Sequence, residues 1–277
     1  MLHCGYSRSA LRMREESGLF ASGILRVDRS VHIPVDFLKP RQVLDVVARW
    51  KETDTKSYVV LLNGHSVACA RKEPEVLAAI LGAGLVLPDG VSVRLAARLS
   101  GYAQVRRVAG PDVMLELCNL GRQLNLRHYL LGGREGVAPR LAERLSQLYA
   151  GVHIVGWLAP PFRPLTVEED REIARRINAA DPDVLWVGLG APKQEKWMAA
   201  HRSVLHCTTM IGVGAAFDFH SGQVPRAPQW MRRSGLEWLH RLLQEPRRIA
   251  PKALDGARLV CAAVRQVIVF RSLEKAP

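Results

Sequence analysis

Short apolar runs that stop at glycine, separated by helical segments, recur along most of this chain and restrict its fold more than any other feature. Tyr58–Leu62 reads as a buried strand and Glu73–Leu81 as a helix. Leu85–Leu87 is a shorter strand ending at Pro88-Asp89-Gly90, with a helix expected over Val91–Leu99. Further on, His128–Leu131 stops at Gly132-Gly133, Val137–Leu148 reads as a helix, and His153–Gly156 as the next strand. Glu168–Ala179 is a helix, Val184–Val187 a strand ending in Gly188-Leu189-Gly190, and Thr208–Ile211 leads into Gly212-Val213-Gly214. Strands alternating with helices of this length indicate an α/β fold: a Rossmann-like, mostly parallel sheet with helices on both faces. Ligands of such sheets bind beyond the carboxyl ends of the strands, where the glycines lie here.

Three segments follow from this reading. Residues 1–30 are polar, basic and unpatterned, and read as a loose N-terminal extension. Residues 31–225 form the α/β catalytic domain. Residues 226–277 form a basic helical appendage, with eleven Lys or Arg against four acids. The whole chain carries a formal charge of +13 over 277 residues. Such an excess calls for a polyanionic partner: nucleic acid, an anionic membrane face or a phosphate-rich substrate. Five scattered cysteines without a CxxC pair argue against a disulfide framework or a zinc site and fit a reducing compartment. No signal peptide and no uncharged apolar stretch long enough to span a bilayer is read in the sequence.

Candidate chemistry collects at the strand ends. A carboxylate at Asp89 could take a proton from a hydroxyl, although Asp-Gly after a strand reads first as turn chemistry with Asp89 capping the next helix. Gly132-Gly133 and Gly212-Val213-Gly214 could present backbone N–H groups to a diphosphate, or be tight turns. Lys193 and Gln194, in Pro192-Lys193-Gln194-Glu195, could offer polar groups to a ligand at a strand-to-helix junction, or be an ordinary charged first helical turn. Asp181-Pro182-Asp183 spells a metal-binding DxD but precedes its strand, at the wrong end of the sheet, and reads as a solvated turn. The arginines 226, 232, 233, 241, 247 and 248 interleave with Trp230 and Trp238, a pattern suited to phosphates or an anionic membrane surface. Leu254–Phe270 reads as an amphipathic helix, with a lean towards the headgroup region over docking on the core.

Several of these blocks together resemble one family. Pro182–Glu195, Gly212–Asp218, Arg226–Met231, Glu237–Leu242 and Glu245–Arg248 resemble, in order, the motifs of the WecG/TagA/CpsF glycosyltransferases, glycosyltransferase family 26. Leu130–Gly133 and Pro88–Gly90 fall where that family has its own. The resemblance implies an inverting transfer, without metal or other cofactor, from a UDP-sugar to a polyprenyl-diphosphate-linked saccharide. The sugar implied is a hexose or N-acetylhexosamine of the N-acetylmannosamine type. It further implies that Asp89 is the base, reversing the turn reading, and that Gln194 lies near the donor. Asn63, His65, Lys193, Asp218 and the glycines 132, 133, 212 and 214 are expected to bind substrate. Arg226, Arg232, Arg241, Arg247 and Arg248 are also expected to bind substrate, from an appendage that closes the site and meets the membrane. The enzyme is then expected to be cytoplasmic, peripheral on the inner face of the cell membrane, with a homo-oligomer left open. Leu61 departs from the family, which often has threonine there; this bears on sugar identity more than on reaction class.

Two rival classes make predictions that the sequence does not meet. A nucleotide-dependent oxidoreductase on this fold calls for GxGxxG after the first strand and an acid about twenty residues on. A nucleic-acid-binding protein calls for a recognisable binding motif or a sheet with exposed aromatics. Neither pattern is present, and no nucleic-acid partner is expected.

Overall fold

The computed structural model describes residues 21–27 and 31–274, the side chains of 269–274 excepted. An antiparallel hairpin of β1 (Ala21–Arg26) and β2 (His32–Phe37) comes first, followed by α1 (Pro40–Glu52). The body comprises β3 (Ser57–Leu62), α2 (Gly64–Lys72), α3 (Pro74–Leu81), β4 (Leu85–Pro88), α4 (Val91–Leu99), α5 (Gly110–Leu120), β5 (Arg127–Gly132), α6 (Val137–Leu148), β6 (His153–Leu158), α7 (Val167–Ala180), β7 (Val184–Gly188), α8 (Lys193–His201), β8 (Thr209–Gly212) and α9 (Ala216–His220). The appendage adds α10 (Gln229–Ser234), α11 (Glu237–Gln244) and α12 (Pro246–Glu274).

Six parallel strands form one sheet in the order β4-β3-β8-β7-β5-β6. The expected α/β architecture is the one observed. Alternate residues of each strand serve opposite faces, as the period of two requires. Val60, Leu62, Leu131, Leu185 and Val187 join one core with α2, α3, α4, α7 and α8. Val59, Leu61, Leu130, Trp186 and Ile211 join the other with α1, α5 and α6. Burial on both sides explains why these strands read as unbroken apolar runs.

Helix starts follow from local chemistry. Asn63 Oδ1 accepts from the N–H groups of His65 and Ser66, capping α2. Thr166 and Glu169 form a capping box at the start of α7. Pro40, Pro74 and Pro111 occupy first-turn positions, where a missing N–H loses nothing.

Two expectations are corrected. Of the extension read over residues 1–30, residues 1–20 and 28–30 lie outside the described residues, while residues 21–26 form β1. Leu25 and Val27 are buried in the core, but the alternation is too short to stand out from its polar surroundings. The helix read over Leu254–Phe270 begins earlier, at Pro246, and one face of it packs on α2 and α4, the docking left open beside the headgroup region. It buries Ile249, Leu259 and Ala263, leaving Leu254, Val264 and Ile268 exposed.

Candidate active site

The carboxyl ends of the strands open into one cavity of about 1760 Å³. Each strand end supplies a piece of its wall: Asn63 after β3, Asp89 after β4, Gly133 after β5, Ala159 after β6, Gly190 after β7 and Gly214 after β8. The appendage closes the other side with Trp238 and Arg241 of α11 and with Arg248, Lys252 and Gly256 of α12.

Asp89 sits just past the end of β4, beside the end of its parallel neighbour β3. Its own N–H and that of Gly90 both donate to Leu62 O, at 3.0 and 3.1 Å, which fixes the turn. The carboxylate is 26 % exposed, and the nearby backbone N–H of Gly110 favours its ionised form. Burial lifts its pKa from 3.8 to about 6, against the pull of Arg107. Arg107 Nε donates to Asp89 O at 2.6 Å, while the guanidinium stands 3.6 Å from Asp89 Oδ1. The same guanidinium donates to Glu237 Oε2 at 2.7 Å. Arg226 Nε donates to Glu237 Oε1 at 3.1 Å, and Arg226 also pairs with Asp112 at 2.6 Å.

Gln194 is buried in the first turn of α8, against the end of β8. A Cβ on Gly212 would lie 3.0 Å from Gln194 Nε2, so the amide requires glycine beneath it. Glu195, fully buried, has its pKa raised by burial and lies 3.4 Å from both Ser66 Oγ and Gln194 Nε2. Lys193 lies at the cavity rim, its Nζ 5.1 Å from the ring centre of the exposed Phe162.

A cation cluster faces the cavity from the appendage. Arg241 and Arg248 share Glu245, at 3.4 and 2.9 Å, and Arg248 also approaches Asp218 at 3.8 Å. Lys252 has its pKa lowered, first by burial and then by the positive charges of Arg248 and Arg241. Such a group gains from any anion placed beside it.

Residues 29–272 of the sequence match the model of the Glycosyl transferase WecG/TagA/CpsF family. The chain belongs to that family. It is a glycosyltransferase, as the motifs implied. One similar protein, N-acetylglucosaminyldiphosphoundecaprenol N-acetyl-beta-D-mannosaminyltransferase of Bacillus subtilis strain 168, is 32% identical over 185 residues, covering 67% of this chain and 70% of the relative. The protein of the same name from Bacillus spizizenii strain W23 is 32% identical over 192 residues, covering 69% and 73%.

Most of the expected site residues of this glycosyltransferase meet at the cavity. Asn63, His65 and Asp89 line its β3–β4 side, Gly133, Lys193 and Gln194 its β5–β7 side, and Gly212, Gly214 and Asp218 the floor after β8. Arg241 and Arg248 complete it. Four residues are placed elsewhere. Gly132 lies within the sheet, where a Cβ would meet the Gly188 backbone at 2.6 Å, so this glycine serves strand approach. Arg226 and Arg232 lean on Asp112, behind the wall, and Arg247 is exposed to solvent outside the cavity. Asp183, of the rejected DxD, accepts from Lys51 Nζ and Arg127 N–H at the amino end of β7.

Arg107, Glu237 and Lys252 line the cavity and were not anticipated as site residues. Glu237 fell inside a recognised block, but nothing in its spacing set it apart from a helix-opening acid. Arg107 precedes α5 in an unpatterned stretch, where only the fold brings it to Asp89.

Proposed function

We propose that this glycosyltransferase moves an N-acetylhexosamine of the N-acetylmannosamine type from a UDP-sugar to a polyprenyl-diphosphate-linked saccharide, for a bacterial cell-surface or exopolysaccharide. The observation that carries this reading is the pairing, across one cavity, of a carboxylate with raised pKa and a cluster of cations, Arg241, Arg248 and Lys252, that outnumber Glu245 and Asp218 beside them. The names of the two Bacillus relatives support the sugar and the lipid-linked acceptor.

In this reading Asp89 accepts the proton of the acceptor hydroxyl as that oxygen attacks the anomeric carbon. The bond to the nucleotide diphosphate breaks on the opposite face, which inverts the configuration. Negative charge grows on the leaving diphosphate. Arg241, Arg248 and Lys252, with backbone N–H groups at the strand ends, are positioned to offset it electrostatically, so no metal is invoked. A base with pKa about 6 is ionised at neutral pH yet still basic enough to draw the proton.

Membrane attachment is the second part of the proposal. No helix among the described residues is long and apolar enough to cross a bilayer. The exposed Trp230, Trp238 and Leu243, set among Arg233 and Arg247, support a peripheral seat on the anionic inner face. The test is UDP release from a panel of UDP-sugars with a short-chain polyprenyl-diphosphate-N-acetylglucosamine acceptor and EDTA. Acceptor-dependent release from UDP-N-acetylmannosamine is expected. Release from another sugar alone would correct the donor, and release abolished by EDTA would overturn the metal-free chemistry.

A further inference from the structure

We infer that Glu237, on the appendage, is a positioning residue that keeps Asp89 basic by holding the Arg107 guanidinium away from it. The inference rests on the reading of Asp89 as the base and extends it to a residue that acts through Arg107.

Arg107 is the one cation facing Asp89 at close range among the described residues, and its two attachments are unequal. Its Nε is tied to the backbone oxygen of Asp89, so the guanidinium cannot leave the turn. Its far nitrogen chooses between two carboxylates. It donates to Glu237 at 2.7 Å and stands 3.6 Å from Asp89 Oδ1, which is buried and makes no hydrogen bond. The charge-assisted bond thus goes to Glu237, and Asp89 feels the guanidinium only at a distance.

Glu237 is itself fixed from two sides. Its side chain is 6 % exposed, and Arg226 holds its other oxygen at 3.1 Å while pairing with Asp112 on α5. Burial works against ionisation of Glu237, yet Arg107 and Arg226 hold its pKa below the ordinary value. It therefore stays charged through the range in which Asp89 titrates. The groups facing Asp89 are then Arg107 from the loop before α5, Asp112 and the Gly110 N–H from α5, and Glu237 from α11. Arg107 and the Gly110 N–H favour the ionised carboxylate, while Asp112 and Glu237 oppose it.

Removing the charge of Glu237 acts twice in the same direction. A negative neighbour is lost, and the guanidinium is freed to close on Asp89. Both lower the basicity of Asp89. A base that is already ion-paired takes a proton less readily, so turnover falls although every atom of the base remains.

The experiment follows the Asp89 carboxyl by carbon-13 NMR across pH in the full-length wild type, Glu237→Gln and Glu237→Asp, with Asp89→Asn to assign the signal. UDP release is measured across the same range. In Glu237→Gln the Asp89 midpoint is expected to fall by about one pH unit, as for a carboxylate that gains an arginine partner. The acid limb of kcat should move with it, at unchanged KM for the UDP-sugar. Glu237→Asp, which keeps the charge but draws it back one methylene, should fall between the two. An Asp89 midpoint equal to that of the wild type in a folded variant overturns the inference. Should Glu237→Gln not fold, Glu237→Asp alone decides by the same criterion. A midpoint that moves without the acid limb leaves the positioning intact and removes Asp89 as the base.

Discussion

His65 Nδ1 lies 2.8 Å from Asp255 Oδ2, joining the second residue of α2 to the middle of α12. One residue earlier, a Cβ on Gly64 would stand 2.6 Å from Gly256 Cα. The appendage is therefore seated on the first strand-to-helix junction by a polar pair and by two glycines in close approach. Gly64→Ala is expected to push α12 outward, costing about 1–3 kcal/mol as overpacking does. Thermal melts and UDP release should fall together. An unchanged melting temperature would show that the helix is seated otherwise.

Asp89→Asn should lower turnover roughly a hundred- to ten-thousand-fold, the span expected for losing a general base. UDP binding, read by calorimetry, should stay within about twofold, since the cations proposed to face the diphosphate are untouched. The reading fails if the variant retains a tenth of wild-type turnover.

The same substitution should stabilise the fold, with a sign set by the raised pKa. The folded chain holds the Asp89 proton more tightly than the unfolded chain does, so this residue favours folding below about pH 4. That advantage disappears as pH rises through about 6. At pH 7 the ionised group opposes folding by about 1–2 kcal/mol after discounting its partial exposure. Asp89→Asn should thus melt higher than wild type at pH 7 and at no higher temperature near pH 4.

Two glycines of positive φ should respond differently to alanine. Gly132→Ala places a methyl against the Gly188 backbone at a φ of 128°, and should cost about 3 kcal/mol or more. Gly190, at φ 79°, has nothing within 4 Å of a Cβ, so its alanine variant should cost only about 1 kcal/mol of backbone strain. Chemical denaturation of the two variants checks the ranking.

Removing α12 would take Leu259 and Ala263 out of the core and uncover the faces of α2 and α4 that they cover, so truncation cannot isolate a membrane role. Surface changes can. Arg233→Glu with Arg247→Glu should cut sedimentation with anionic liposomes about tenfold or more at low salt, each charge near the surface being worth about 1 kcal/mol. Thermal stability should be unaffected, both residues being exposed. Equal sedimentation of variant and wild type would remove this face as the membrane seat.

The parallel sheet was legible because each of its inner strands is buried on both faces and announces itself as an apolar run with a glycine stop. Asp89 was visible only as an Asp-Gly turn until the neighbouring motifs gave it a role. Arg107 and Glu237 were not legible as partners, since 130 residues separate them and neither has a local pattern to mark it. Gly132 illustrates the opposite failure. A glycine at a strand end satisfies the pattern of a phosphate cradle equally well when its real work is to let two backbones touch. The apolar stripe of α12 was likewise real, but period alone does not say whether a core or a lipid covers it.

The hairpin at the start of the described chain bears on the chemistry in one further way. Asp89 follows β4, an edge strand of the six-stranded sheet that pairs with β3 on one side and has β2 packed beside it without strand pairing. The buried carboxylate of Asp36 on β2 accepts from Val86 N–H at 2.8 Å, filling the place that a seventh strand would take. An edge left open would breathe and offer itself to other chains. Asp36 thus works as a dowel: it stops the strand that carries the proposed base from fraying, and keeps the Asp89 carboxylate in register with the rest of the cavity.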